Sequence, residues 1–299
     1  MTMSDLPPGL VLIIGAFILP IVGQRLRPIL TLGLPLLTLY LVWSLPNGTF
    51  STVPMLDYNL AFIQSDSLSR LFATVFSIMT FGGSLFALKQ KRVLELASVF
   101  VYAGSAIGVV FAGDLISLFI FWEIMAVAST LVVLSAGGKR SYQISMRYFL
   151  IHVFGGTLLL IGILSHIVDT GSTAFTAMAP NTFGTIFILM GFLINAAAPP
   201  LSAWLSDAYP EASFSGAVFL SAFTTKAAVY VLLRGFPGSE VLIFIGVFMI
   251  FYGIIYALLE NDMRRILAYS IVNQVGFMVT GVGIGTEMAL NGVAAHAFT

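Results

Sequence analysis

The chain has 299 residues, of which 59% are hydrophobic and only 9% are charged, and its formal net charge is zero. Soluble domains carry roughly 25% charged residues, so a mean hydropathy of +1.02 indicates an integral membrane protein. The neutral charge balance offers no electrostatic basis for binding nucleic acid. The absence of cysteine excludes disulfides, thiolate zinc sites and cysteine-bound iron–sulfur clusters, so we expect no cofactor, metal or catalytic centre in this chain.

Apolar runs of about 17 to 25 residues predict ten transmembrane helices. They lie near residues 9–23, 29–46, 67–88, 93–112, 114–134, 144–168, 182–203, 213–234, 239–259 and 262–283. An eleventh run begins near Glu287 and stops at Thr299, too soon to cross a bilayer, which predicts a chain that is incomplete at its C-terminus. The first run follows no basic segment and is predicted to be a helix rather than a signal peptide. The polar connection at 47–66 is predicted to be an external loop.

The basic residues alternate from one side of the predicted bundle to the other. Ten of the 13 Lys and Arg residues fall in alternate connections or at the helix ends beside them, namely Arg25, Arg27, Lys89, Lys91, Arg92, Lys139, Arg140, Arg147, Arg264 and Arg265. By the positive-inside rule this side faces the cytoplasm, and the N-terminus lies outside. The sequence thus predicts an all-α polytopic transmembrane helix bundle, a single domain of residues 1–299 in an inner (plasma) membrane.

Glu123 lies near the middle of an apolar run, 113–134, that is long enough to span a membrane. A charge at the membrane centre costs roughly 2.5 to 3.5 kcal/mol, and such residues commonly handle protons, ions or substrates. A carboxyl group there can change its protonation when a neighbouring charge or water wire changes. The alternative is a structural carboxylate paired with Arg147 or with a backbone donor. Asp114, at the start of this run, is predicted to be the N-cap of the helix.

Lys226 occupies a similar central position in the run 215–236. The hydroxyls of Thr224 and Thr225 can hold water beside its amine, and a lysine suits a proton relay better than a permanently charged arginine does. The alternative is snorkelling of the amine to a membrane interface. His152, in the sixth predicted helix, can pass protons at neutral pH or can be a satisfied core histidine.

Three prolines interrupt the sequence between these two regions, in the segment APPLSAWLSDAYPEA at 198–212. Proline removes an amide donor and breaks helices, and broken membrane helices are tolerated where the freed backbone lines a cavity or is buried in protein. In transporters such breaks often mark the binding region. The same residues are equally typical of a cytoplasmic loop with an interfacial tryptophan.

Four segments together resemble one known family: FWEIM at 121–125, PPLSAWLSDAYPEA at 199–212, LSAFTTKAAVYVLLRGF at 220–236 and ENDMRRILAYSIVNQVGF at 260–277. They are similar to the antiporter-like membrane subunits of respiratory complex I and of the multi-subunit Mrp-type cation/proton antiporters, most of all to the D subunit of the Mrp type. The resemblance implies inverted repeats of five helices, each forming a proton half-channel. Peripheral helices then occupy residues 1–92, a first repeat 93–234 and an incomplete second repeat 239–299.

The same resemblance assigns roles to individual residues. Glu123 matches the family's glutamate in the fifth helix, Lys226 matches its lysine in the eighth, and 182–203 matches its broken seventh helix. The chain departs from the family pattern at Asn195, where the family usually has the lysine that partners the glutamate, and at Ser202, where a histidine is usual. Because Asn195 cannot titrate, either another cation such as Arg147 pairs with Glu123, or the subunit has a modified or passive role.

The sequence therefore predicts a proton-translocating subunit of a multi-subunit Na+/H+ antiporter. Protons would pass between Glu123 and Lys226, with Thr224, Thr225 and His152 as relay or water-holding groups. The expected partners are other membrane subunits, which supply the cation path or, in a redox-driven complex, the cofactors. Two alternatives stay open: a membrane-arm subunit of complex I or of a related hydrogenase, and a non-conducting scaffold.

Overall fold

The computed structural model describes residues 6–55 and 58–298, so residues 1–5, 56–57 and 299 of the predicted single domain lie outside the described part. The helices are α1 (Pro8–Ile18), α2 (Arg27–Ser44), α3 (Ser67–Phe86), α4 (Val93–Phe111), α5 (Leu115–Leu134), α6 (Lys139–Thr170), α7 (Phe183–Asn195), α8 (Ala203–Glu211), α9 (Phe214–Ala222), α10 (Thr224–Gly235), α11 (Glu240–Leu259), α12 (Met263–Ile284) and α13 (Glu287–His296). Among the described residues, eight helical segments are long and apolar enough to cross a bilayer. They confirm the predicted all-α polytopic class.

Most helices begin and end where the sequence changes from apolar to capping or helix-breaking residues. Asp66 and Ser69 form a capping box at the start of α3, and α12 ends at Gly285, whose φ of 69° lies in the left-handed region that glycine tolerates. Two predicted spans are interrupted. The run 182–203 is helical as α7 only as far as Asn195, with α8 beginning at Ala203, and the run 213–234 becomes α9 and α10.

The prediction of an external loop at 47–66 is wrong in one respect, because most of these residues form an antiparallel hairpin. Strand β1 (Gly48–Met55) pairs with β2 (Tyr58–Ser65). The backbone of Ala61 in β2 bonds to the connection between α4 and α5, donating to Asp114 Oδ2 at 2.7 Å and accepting from the Gly113 amide at 2.9 Å. The loop prediction rested on polarity, whereas β-branched and aromatic residues in both segments favour strands.

The chain divides into two compact units. The first unit comprises Met1–Ser141 and Ala212–Phe223, and the second comprises Tyr142–Glu211 and Thr224–Thr299. The core of the first unit is α4, which is buried along almost its whole length. The ring of Phe223 packs edge-on against Phe76 at 5.5 Å and against Tyr102 at 5.0 Å, which joins the end of α9 to α3 and α4.

Within the first unit, α1 crosses α4 so closely that glycine is required at the crossing. A Cβ atom added at Gly104 would lie 2.5 Å from the carbonyl oxygen of Gly9. We expect Gly104→Ala to lower the free energy of unfolding in detergent by about 2 kcal/mol, since backbone atoms cannot move aside cheaply. The matched control is Gly33→Ala in α2, where a Cβ would meet nothing within 4 Å, so the protein should gain up to about 1 kcal/mol there. Equal stabilities of the two variants would contradict the close crossing.

The second unit uses the same close approach in two helix pairs. A Cβ added at Gly246 of α11 would lie 2.7 Å from the carbonyl oxygen of Gly276 in α12, and Asn273 of α12 donates to the Ile250 carbonyl of α11 at 2.9 Å. Glycines 162 and 184 bring α6 and α7 together in the same way. Small residues at helix crossings are the usual means of helix association in membranes, where lipid removes most of the hydrophobic driving force. Close crossings at glycines thus join helices within each unit.

Candidate functional site

The start of α5 fixes the position of Glu123 in the first unit. The Asp114 carboxylate accepts hydrogen bonds from the amides of Ile116 at 2.9 Å and Ser117 at 2.8 Å, and from the Ser117 hydroxyl at 2.6 Å. These bonds confirm the predicted N-cap, which satisfies amides that the first turn leaves without helical partners. With its first turn fixed in this way, α5 presents Glu123 close to its own midpoint.

Glu123 lines a groove between α1, α4 and α5 with a volume of about 570 Å³. The other lining side chains are almost all apolar, and Glu123 Oε1 is buried without a hydrogen-bond partner among the described residues. Arg147, one of the partners considered for it, forms its ion pair with Asp207, whose Oδ2 lies 3.2 Å from Arg147 Nη1. A buried carboxylate oxygen without a donor is costly, so Glu123 is not held in place by hydrogen bonds to this oxygen.

Sequence reasoning missed a second buried carboxylate in the first unit, Glu95 in the first turn of α4. Its side chain is 1% exposed. It accepts hydrogen bonds from the hydroxyls of Ser213 and Ser215, both at 2.5 Å, from Gln90 Nε2 at 3.0 Å and from the Ser135 hydroxyl at 3.4 Å. An acid in the first turn of an apolar helix was the available signal. Unlike Glu123, Glu95 is fully occupied by neutral donors, which indicates a structural role.

In the second unit, the helix break predicted at 198–212 is present. Helix α7 ends at Asn195, Ala197 adopts a left-handed φ of 59°, and α8 begins only at Ala203. Trp204 is buried, not interfacial, and its Nε1 donates to the carbonyl oxygen of Ile194 at 3.0 Å. The Ile194 carbonyl also accepts from the Ala197 amide at 3.0 Å, so the indole adds a second bond there and fixes the first turn of α8 to the end of α7.

His152 lies beside this break. Its ring stacks on Tyr148 with centroids 4.0 Å apart and meets the Trp204 ring edge-on at 4.7 Å. Its Nδ1 is 3.0 Å from the Tyr148 carbonyl oxygen, so Nδ1 carries the proton in that contact. In the neutral ring Nε2 is then an acceptor, and it is buried without a hydrogen-bond partner among the described residues.

Further polar atoms with unused hydrogen-bonding capacity lie in the same unit. The amide nitrogen and oxygen of Asn195, the Ser202 hydroxyl and the Thr225 hydroxyl are all buried with no partner in the described part of the chain. Thr225 precedes Lys226 in α10, which starts at Thr224, directly after the break at Phe223. Lys226 therefore lies in the first turn of α10, while the segment Phe214–Gly235 as a whole remains long and apolar enough to span a membrane.

Charged side chains also connect α8 to its neighbours. Asp207 in α8 pairs with Arg147 of α6 at 3.2 Å and with Arg265 of α12 at 3.9 Å, and Arg265 also reaches Glu260 at 3.3 Å. These four residues form a partly exposed chain of ion pairs. Of the residues predicted from the sequence, Glu123 belongs to the first unit, whereas Lys226, Arg147, His152, Thr224, Thr225 and Asn195 belong to the second.

Known proteins share both the sequence and the fold of this chain. A profile of the family described as NADH:quinone oxidoreductase/Mrp antiporter, TM, matches residues 112–299. The D subunit of the Na(+)/H(+) antiporter of Alkalihalophilus pseudofirmus is 31% identical over 206 residues, which cover 62% of this chain and 41% of that protein. The M subunit of the NADH-quinone oxidoreductase of Escherichia coli is 32% identical over 216 residues, which cover 63% of this chain and 42% of that protein. The chain thus spans less than half the length of these relatives.

Two solved structures share the fold. A chain of the archaeal membrane-bound sulfane sulfur reductase, a respiratory membrane complex, superposes with a TM-score of 0.87 at 22% identity, over 100% of this chain and 68% of that chain. A chain of the Mrp complex from a Dietzia species superposes with a TM-score of 0.86 at 24% identity, over 97% of this chain and 35% of that chain. With the family profile covering most of the chain, the predicted resemblance is confirmed: this multi-pass membrane protein belongs to the NADH:quinone oxidoreductase/Mrp antiporter transmembrane family.

Proposed function

We propose that this chain is a proton-translocating subunit of a multi-subunit Na+/H+ antiporter. It works with other membrane subunits in a plasma membrane, with its N-terminus outside. Glu123 and Lys226 carry the proton, and Thr224, Thr225 and His152 hold water or relay it. The antiporter role draws on the similarity to the D subunit of the Alkalihalophilus pseudofirmus antiporter, and the outside N-terminus draws on the alternation of basic residues along the sequence.

The observation that carries the proposal is the set of unused polar atoms in the second unit. His152 Nε2, both amide atoms of Asn195 and the hydroxyls of Ser202 and Thr225 are buried without partners among the described residues. Buried polar groups are nearly always hydrogen-bonded, either to protein or to ordered water. A set of such atoms on one unit, of which the Thr225 hydroxyl is next in sequence to Lys226, favours water molecules that conduct protons. A purely structural core would satisfy or replace these atoms.

Asn195 changes the usual family mechanism rather than abolishing conduction. An amide cannot carry a proton as a lysine does, but it can both donate to water and accept from it. We therefore propose that Asn195 holds water at the end of α7, while the charge on this unit is carried by Lys226. In this form of the mechanism Arg147 serves α8 through its ion pair with Asp207 and takes no part in proton transfer.

One observation supports the second candidate, a membrane-arm subunit of a redox-driven complex. The M subunit of the Escherichia coli enzyme is as similar to this chain as the antiporter subunit is, with 32% against 31% identity. The two candidates differ in the driving force. Proton movement that requires a sodium gradient and persists when respiration is blocked supports the antiporter, and movement that requires quinone reduction supports the redox complex.

The test is proton-coupled sodium flux in everted vesicles that carry the whole complex, with this subunit as wild type, Lys226→Ala or Lys226→Arg. We expect both variants to assemble and to lose flux, because alanine cannot bind the proton and arginine does not release it. Full flux in the arginine variant would mean that Lys226 acts only as a fixed positive charge and does not exchange its proton. Full flux in the alanine variant would support the third reading, a scaffold that does not conduct.

A further inference from the structure

A polar cleft in the first unit lies apart from Glu123 and its groove. It has a volume of about 320 Å³ and lies between the start of α2 and the 3-10 turn at Ala87–Lys89 with the residues that follow it. Three basic residues line it, Arg27 from α2 and Lys89 and Lys91 from the connection between α3 and α4, and its described lining contains no acidic residue. We propose that this cleft binds the phosphate of an anionic phospholipid headgroup.

Within the described part of the chain, the three cations have no anionic partner. No carboxylate oxygen of the described residues lies within 4 Å of Arg27, Lys89 or Lys91. Arg27 uses Nη2 to donate to the Val22 carbonyl at 3.3 Å, while its Nε has no partner in the described structure. Glu95 is the acid nearest in sequence, but neutral hydroxyl and amide donors already occupy it. The cleft therefore concentrates positive charge that an external anion can neutralise.

Helix α2 adds to this charge. It begins at Arg27, and its N-cap residue Leu26 makes no side-chain capping bond. The start of a helix carries a partial positive charge that favours a nearby anion, but here it acts only as a charge, because the Arg27 amide donates to the Gly23 carbonyl and Pro28 has no amide hydrogen. The guanidinium of an arginine can also bind two phosphate oxygens at once, whereas each lysine acts as a point charge.

A neighbouring arginine, Arg92, has a purely structural role. Arg92 directs its Nη1 to the carbonyl oxygens of Ser135 and Ala136, at 2.7 and 2.8 Å, and so caps the C-terminal end of α5. It does not line the cleft. Arg27, Lys89 and Lys91 lie close to Arg92 in the fold but have no equivalent role in holding helices together.

The surroundings favour a lipid over free phosphate as the source of the anion. Large apolar side chains are exposed on both helices that border the cleft, with Leu26 59% and Ile29 65% exposed beside α2 and Phe86 61% exposed at the end of α3. These surfaces can contact acyl chains while the headgroup lies in the cleft. Basic pockets between membrane helices on the positively charged side are a recurrent site for anionic headgroups.

The test measures binding of short-chain phosphatidylglycerol to the purified full chain in neutral detergent by native mass spectrometry. The cleft variant is Lys89→Gln/Lys91→Gln, and the matched control is Arg25→Gln/Lys139→Gln, which removes the same net charge at residues that do not line the cleft. We expect the dissociation constant to rise by about 5-fold for each cleft lysine removed and to stay unchanged in the control. Both exposed lysines can be replaced without loss of buried contacts, so thermal unfolding should be unaltered.

Equal weakening in the cleft variant and the control would overturn the proposal, since the effect would then come from general surface charge. Unchanged binding in the cleft variant would overturn it as well. Competition with inorganic phosphate distinguishes a lipid headgroup from free phosphate as the source of the anion. Failure of millimolar phosphate to displace the lipid supports a headgroup site, and displacement at that concentration overturns the assignment to a lipid.

Discussion

The Glu123→Gln variant is expected to slow proton movement by about 100-fold in an assembled complex. Glutamine keeps the size of the side chain in the groove between α1, α4 and α5 but cannot carry a proton. An unassisted charge at the membrane centre costs roughly 2.5 to 3.5 kcal/mol, and each 1.36 kcal/mol is about tenfold in rate. The measurement is the initial rate of acidification in everted vesicles, with the amount of assembled complex determined on native gels.

Glu123→Asp is the matched control for this prediction. Aspartate retains the carboxyl group on a chain that is one methylene shorter, so we expect a partial loss that is much smaller than that of the glutamine variant. Wild-type flux in an assembled Glu123→Gln complex would refute the proton role of this residue. Loss of the complex from the gel would instead point to an assembly role for the groove.

The Glu95→Ala variant is expected to have the largest effect on stability, with an unfolding free energy lower by about 3 kcal/mol. The carboxylate of Glu95 accepts hydrogen bonds from Ser213 and Ser215 at 2.5 Å and from Gln90 at 3.0 Å. Its removal leaves several buried donors without an acceptor and separates the start of α4 from the start of α9. Thermal or denaturant unfolding in detergent, followed by circular dichroism, measures the change.

Glu95→Gln gives the matched comparison, because it keeps the shape of the side chain and one acceptor oxygen. It should lose about half as much stability as the alanine variant. If Glu95 served mainly to bind protons, the glutamine variant would be as stable as wild type but impaired in flux. An alanine variant within about 0.5 kcal/mol of wild type would mean that the hydroxyls find other acceptors, contrary to the structural role.

Sequence predicted those features that depend on neighbouring residues. Glu123 and Lys226 stay predictions, made because each is a charge within an apolar run, and the cap at Asp114 was predicted correctly because capping is local. The break after Asn195 was suggested by prolines that follow within a few residues. Glu95 was missed because its partners Ser213 and Ser215 are 118 and 120 residues away in the chain, and no local pattern records such a contact.

The hairpin illustrates a different limit. Its residues are polar enough to resemble a loop, and their strand character depends on pairing with each other and on the bond from Ala61 to Asp114, 53 residues later. The division of the eighth predicted span at Phe223 was also missed, since neither proline nor glycine marks it. Tertiary packing, which the sequence pattern does not contain, determines the division at Phe223 and adds to the strand preference of the β-branched and aromatic residues in the hairpin.

The hydrogen bond of the buried Trp204 restrains α8 more strongly than the ion pairs of Asp207 do. The Arg147 side chain is 66% exposed and that of Asp207 is 27% exposed, so water and salt screen their attraction. Such pairs contribute about 0 to 1 kcal/mol, close to thermal energy. The buried indole, by contrast, fixes the first turn of α8 to the end of α7. Raising the ionic strength should therefore leave α8 in place, because its buried side chains, among them Leu205, Ala208 and Tyr209, hold it together with Trp204.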